Sequence, residues 1–182
     1  MTAALVLIDL QNDYFPGGRM ELVGADAAVG QAARLLAAFR QRGRPVIHVQ
    51  HVSTRAGATF FLPDTAGVQI HAAVQPQAGE AVVVKHFPNA FRETGLQAAL
   101  RDAGVTKLVF AGMMTHMCVD TTVRAAADAG FECRLAHDAC ATRSLAFAGV
   151  TVAARDVQTA YLAALNGSFA RVQAASEIVA AA

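Results

Sequence analysis

Short, wholly apolar runs alternate along this chain with segments in which apolar side chains return every third or fourth position. Residues 4–8 carry the pattern of a buried strand, and about 25–42 repeat at the helical period, with Asp26 as the expected N-cap and Gly43 just past the end. Pro45 opens a strand at 45–52, on a residue that donates no backbone hydrogen bond. Further strands are expected at 81–85, 106–111, 131–137 and about 168–173, with helices near 93–103, 117–129 (ending at Gly130) and 153–165. Between 53 and 80 the periodicity lapses, and Gly57, Pro63, Gly67, Pro76 and Gly79 punctuate the chain. A loop of that length inside a compact domain is usually functional or covers something. Strands alternating with helices imply right-handed βαβ crossovers, and so an α/β fold: a three-layer α/β/α sandwich around a doubly wound, mainly parallel sheet. No repeat, linker or low-complexity block divides the chain, which predicts a single domain over 1–182.

Composition narrows the function classes. Apolar residues make up 54% of the chain and charged residues 16%, which suits buried parallel strands. The net charge of +1 supplies no field for a polyanion, and no stripe of Lys and Arg interleaves with aromatics, so nucleic acid is excluded as the expected partner. The first strand starts almost at the N-terminus, which predicts a cytoplasmic protein, and charged residues interrupt every apolar stretch before it reaches the roughly 20 residues a membrane helix needs. Cys118, Cys133 and Cys140 are odd in number and scattered, neither a disulfide framework nor a zinc pattern. The turn after the first strand reads DLQNDYFPGG and has no GxGxxG; nor does a GxxxxGK[ST] occur, so no nucleotide cofactor is expected.

Three of the strands finish on a reactive side chain or lead straight to one: ALVLID ends at Asp9, AVVVK at Lys85, and LVFAGMMTHMC at Cys118. In a parallel sheet the crevice outside the carboxyl ends of the strands is where ligands bind, so residues far apart in sequence converge there. Taken singly, each has a plain structural role. Asp9 could cap a turn, Lys85 could extend from the sheet edge, and an isolated cysteine most often packs as a small hydrophobe. Cys118, however, follows a short connection and opens a helical pattern, where free N–H groups and a nearby ammonium would lower its thiol pKa and hold an oxyanion. Cys133 falls inside a strand and Cys140 in the loop after it, both structural.

LVLIDLQNDYF, VVVKHFPNAFRETGL and GMMTHMCVDTTVRAAADAGF together resemble the isochorismatase-like cysteine hydrolase superfamily, in order and over nearly the whole chain. The resemblance implies a six-stranded parallel sheet and a catalytic triad of Asp9, Lys85 and Cys118. It also implies a cis peptide between Met113 and Met114 and an oxyanion hole built from the backbone N–H groups of Met114 and Cys118. The activity it implies is hydrolysis of a small carboxamide or ureido C–N bond through a thioester. Phe15, Phe60, Phe61, Phe87 and His116 are the candidate substrate contacts, and core packing accounts for any one of the phenylalanines equally well.

The chain departs from the nicotinamidases of that superfamily, which hold a metal through an Asp-x-His pair after the second strand. Here no acidic residue lies between Asp26 and Asp64, so no metal is expected. His48, His51 and His71 could still gather around an ion, but His48 and His51 stand three apart on a strand and so face opposite sides. Two other functions stay open: vinyl-ether cleavage, with substrate carboxylates held by arginines such as Arg19, Arg55 or Arg92, and a non-catalytic binding protein on the same fold. The Ala-rich helices and the apolar residues of the 53–80 loop predict a homodimer or larger homo-oligomer acting on a small molecule.

Overall fold

Ala4, Val6 and Ile8 of the first strand enter one apolar cluster and Leu5 and Leu7 another, as expected of a strand covered on both faces. In the computed structural model, which describes residues 2–181, this strand is β1 (Thr2–Ile8). It is followed by α1 (Ala25–Gln41), β2 (Val46–His51), β3 (Ala81–Lys85), α2 (Leu96–Asp102), β4 (Val105–Met113), α3 (Asp120–Asp128) and β5 (Glu132–Ala141). A hairpin of β6 (Leu145–Phe147) and β7 (Val150–Val152), α4 (Ala154–Leu165), β8 (Arg171–Gln173) and α5 (Ala175–Ala180) complete the order. Six strands form one parallel sheet in the order β3-β2-β1-β4-β5-β8. Helices α1 and α5 cover the Leu5/Leu7 face, and α2, α3 and Leu165 of α4 cover the other, giving the expected three layers.

Several local expectations are corrected. Gly24, at φ 78°, occupies the N-cap of α1 and Asp26 lies within its first turn. The helix expected at 117–129 begins with a π turn, Thr115–Val119, before α3 proper. Strand β5 runs on to Ala141, so Cys140 lies in the strand opposite Gly112 and not in a loop. The β6–β7 hairpin and α5 went unpredicted because elements of three to six residues are too short for periodicity to register. The hairpin turns on Ala148 and Gly149, both at positive φ, a tight-turn signal more often written Asn-Gly.

Two features bring the strand ends together. At Gly112, φ is 145° and a Cβ would strike the carbonyl oxygen of Ile8, so only glycine lets β4 pass β1 this closely on the way to Cys118. Alongside it, the β4–β5 register slips from Phe110↔Leu135 to Gly112↔Cys140, which bends the end of the pair. The long 53–80 segment has no strand of its own but is tied down at several points. Buried Gln11 donates to the carbonyls of His51 (2.9 Å) and Val68 (2.7 Å), and buried Asp13 accepts the N–H of Phe61 at 2.6 Å. Glu80 closes the far end, accepting from Arg40 at 2.7 and 2.8 Å and facing His48 Nε2 at 2.9 Å. The bond from Arg40 outweighs burial and pulls the Glu80 carboxyl down to about 2.

Candidate active site

Strand register alone sets the first contact. His51 and Lys85 are opposite one another at the ends of β2 and β3, and β1, which pairs with β2 through Ile8↔Val49, places Asp9 one residue beyond its own end. Asp9 sits at φ 50°, a left-handed conformation uncommon outside glycine, which turns its carboxylate off the strand line. Cys118 arrives from the π turn that follows β4. That turn is fastened to the end of β5 by Thr115 Oγ1, which donates to the Ala141 carbonyl at 3.1 Å, and by His116 Nδ1, 2.6 Å from Thr142 Oγ1. The peptide between Met113 and Met114 is cis, and the Met114 carbonyl accepts the N–H groups of Met117 and Val119.

Lys85 is the centre of the cluster. Its ammonium lies 2.8 Å from Asp9 Oδ2, 2.9 Å from His51 Nδ1 and 3.3 Å from Cys118 Sγ, so each of its three N–H donors has an acceptor. The Lys85 and Asp9 side chains have no solvent exposure at all. Burial alone would lower the Lys85 pKa, but the charges of Asp9 and then Cys118 outweigh it and the net shift is upward. His51 is lowered to about 4 by burial first and by the Lys85 cation second, so it is neutral at physiological pH. A neutral ring that accepts at Nδ1 carries its proton on Nε2.

The cysteine corrects an expectation. A helix N-terminus and a neighbouring cation were expected to depress its thiol pKa; instead burial and, next, the negative charge of Asp9 raise it, with Lys85 opposing. The shift favours the protonated sulfur, so forming a thiolate calls for a neighbouring group that can take its proton. Asp9 Oδ1 is buried and has no hydrogen-bond partner among the described residues. Cys133 and Cys140 are pushed to about 12 by burial and donate to the Phe131 and Ala136 carbonyls, which fits their structural reading.

The other candidates separate. Phe60 and Phe87 line a cleft of about 470 Å³ beside His51, together with Ser53 to Arg55, Gly57 to Thr59, His86 and Pro88. Phe15 and Phe61, only 4% and 1% exposed, are core residues and not cleft walls; Phe61 packs against Tyr14 (4.6 Å between ring centroids) and Phe15 stacks on His71 (4.0 Å). His116, buried against Thr142 and Tyr161, holds the turn that carries Cys118 in place. Arg19 borders a different cavity, with Asn12 and Thr65, while Arg92 lies 3.6 Å over the Phe87 ring. The three histidines do not gather: His48 pairs with Glu80, His71 accepts the Ala73 N–H, and only His51 joins the cluster. Asp9, His51 and Cys118 do present ligand atoms within 4.8 Å of one another, but the position a cation would take among them is filled by the Lys85 ammonium.

Sequence reasoning missed one residue. His51 was weighed as a metal ligand or a structural side chain, although its register partner is Lys85.

A parallel doubly wound sheet with carboxylate, ammonium and thiol meeting at its carboxyl edge defines an α/β enzyme of the hydrolase class. The chain belongs to the isochorismatase family: the isochorismatase domain model matches residues 3–177. It is 49% identical to an uncharacterized isochorismatase family protein of Bacillus subtilis, over 95% of this chain and 96% of that protein. A streptothricin hydrolase of Streptomyces noursei is 39% identical over 76% of this chain and 49% of its own length. A ureidoacrylate amidohydrolase of Methylobacterium radiotolerans is 31% identical over 68% of this chain and 60% of its own. The crystal structure of an isochorismatase-family hydrolase from Oleispira antarctica superposes with a TM-score of 0.95 at 53% identity, covering 98% of this chain and 96% of that one.

Proposed function

We propose that this protein is a cysteine amidohydrolase that cleaves a carboxamide or ureido C–N bond in a small molecule through a thioester. The observation that carries this reading is the Lys85 ammonium bonded at once to Asp9 and Cys118 in a site closed to solvent. Asp9 takes the thiol proton, Lys85 stabilises the thiolate as it forms, and Cys118 attacks the carbonyl carbon while backbone N–H groups of Met114 and Cys118 receive the oxyanion. Asp9 then protonates the departing amine and activates the water that cleaves the thioester. Similarity to a ureidoacrylate amidohydrolase supports a C–N substrate. The vinyl-ether alternative draws less support, since of the three arginines proposed to hold its carboxylates only Arg55 lines the cleft.

A panel of small amides, ureides and vinyl ethers tests the reading. Acid-quenched mass spectrometry should show Cys118 carrying the acyl group of an amide or ureide substrate. Turnover with no adduct on Cys118, or turnover of vinyl ethers alone, would overturn it.

The proposal includes a homo-oligomer and, given three unpaired cysteines, a cytoplasmic location. An isolated two-stranded hairpin is marginal in water, and here Phe147, Val150 and Val152 stand 87%, 64% and 42% exposed, with Val82 and Val84 exposed on edge strand β3. Light scattering at micromolar concentration should give at least twice the 19.0 kDa of one chain; a clean monomer would rule the assembly out.

A further inference from the structure

His51 belongs to the buried cluster, yet the thioester route gives it no task. Its placement is built from two sides. Buried Gln11, in the turn after β1, clamps its peptide: the Gln11 side chain accepts the His51 N–H at 2.7 Å and donates to the His51 carbonyl at 2.9 Å. The β2–β3 register then sets His51 opposite Lys85, and the ring meets the ammonium through Nδ1 at 2.9 Å. A lysine ammonium can only donate, so the ring nitrogen that faces it is bare. On its other side the ring lines the cleft, whereas the Lys85 and Asp9 side chains have no solvent exposure.

The three N–H donors of Lys85 meet three acceptors, Asp9 Oδ2, His51 Nδ1 and Cys118 Sγ, and none is left for Asp9 Oδ1, which is buried without a partner among the described residues. A carboxylate oxygen buried beside an ammonium ordinarily takes a charged hydrogen bond from it, because such bonds are strong and an unpaired buried polar atom is costly. Here the acceptor on His51 draws that N–H elsewhere. Hydrogen bonds to the charged form of a carboxylate weaken it as a proton acceptor, so an oxygen kept unbonded is the better base.

We infer that His51 is a positioning residue: by accepting the third ammonium N–H it keeps Lys85 from closing a two-pronged pair with Asp9 and leaves Asp9 Oδ1 able to take the Cys118 proton. The proton transfer rests on the amidohydrolase reading, while the bonding pattern stands apart from any substrate. Two substitutions separate the acceptor from the bulk of the ring. In His51→Asn, Oδ1 stands at the same number of bonds from the backbone as Nδ1 and can accept from Lys85. In His51→Leu the space is filled and no acceptor remains, so the third N–H turns to Asp9 Oδ1.

With any amide or ureide that the enzyme turns over, His51→Leu should lower kcat by about 10²-fold, the scale of an impaired proton transfer, while His51→Asn stays within about fivefold of wild type. A leucine variant within about threefold of wild type, or an asparagine variant as impaired as the leucine one, would overturn the role. If no amide or ureide is turned over, the amidohydrolase reading fails on its own account and the bonding decides. Histidine-selective nitrogen NMR of the wild type at neutral pH should then show His51 with a bare Nδ1 and a protonated Nε2, and a crystal structure of His51→Leu should show Lys85 Nζ within hydrogen-bond reach of Asp9 Oδ1. A proton on Nδ1 in the wild type, or an Oδ1 still unbonded in the leucine variant, would overturn the inference.

Discussion

Replacing Cys118 by alanine should lower hydrolysis of any amide the enzyme accepts by about 10⁴-fold or more, because the covalent route has no other nucleophile. The Cys133 and Cys140 thiols are engaged with backbone carbonyls, and neither is hydrogen-bonded to Lys85. The fold should survive: Cys118 is a small, 5%-exposed residue, and losing its sulfur costs about 1 kcal/mol of packing together with one partner of Lys85, which keeps Asp9 and His51. Cys118→Ser sharpens the test. Its hydroxyl can still accept from Lys85, so a serine enzyme as inactive as the alanine one shows that the thiol chemistry, not the hydrogen bond, is what was lost. Circular dichroism and urea unfolding check the fold, and ammonia release checks turnover. An alanine variant within tenfold of wild type would end the thioester mechanism.

The parts of this molecule legible in its sequence are those that local pattern controls. Strands β1, β2, β4 and β5 bury alternate or continuous apolar positions, edge strand β3 shows the same apolar run though it lies largely exposed, and the alternation with helices left few topologies open. The meeting of Asp9, Lys85 and Cys118 was legible for a related reason: in a parallel sheet, a reactive residue at a strand's carboxyl end goes to one place whatever the connection between strands. What the sequence hid depends on pairing across space. That His51 would accept from Lys85 requires the β2–β3 register, which is set by contacts outside either strand. The raised thiol pKa of Cys118 follows from burial and the charge of Asp9, and burial beyond a strand end is a tertiary property. The phenylalanines show the same limit from the other side, since Phe60 and Phe61 are adjacent in the chain yet one lines the cleft and the other the core.

Removing the Lys85 ammonium should have two effects of opposite visibility. Lys85→Met leaves the Asp9 carboxylate in a site with no solvent exposure, with Oδ1 already lacking a partner and Oδ2 losing its own. Breaking a buried ion pair from one side costs about 3–5 kcal/mol, a large share of the about 5–15 kcal/mol that holds a domain together. The urea midpoint should therefore drop sharply. Asp9→Asn combined with Lys85→Met removes the stranded charge and should recover much of that loss, which keeps the alkylation test usable if the single variant folds poorly. Chemically, Lys85 is the group that opposes the upward shift of the Cys118 thiol and Asp9 one that drives it. Lys85→Met should then move the onset of iodoacetamide labelling at Cys118 to higher pH, and Asp9→Asn should move it to lower pH while abolishing turnover, since no base remains to take the proton or return it to the amine. Opposite shifts from two substitutions in one contact pair are hard to obtain from general loosening of the fold, which would accelerate labelling in both. Because the groups are coupled, the labelling curves report the set and not one residue, so their order matters more than any midpoint. Labelling profiles that coincide for wild type and Lys85→Met would mean that the ammonium does not act on the sulfur, and the site would need another source of nucleophilicity.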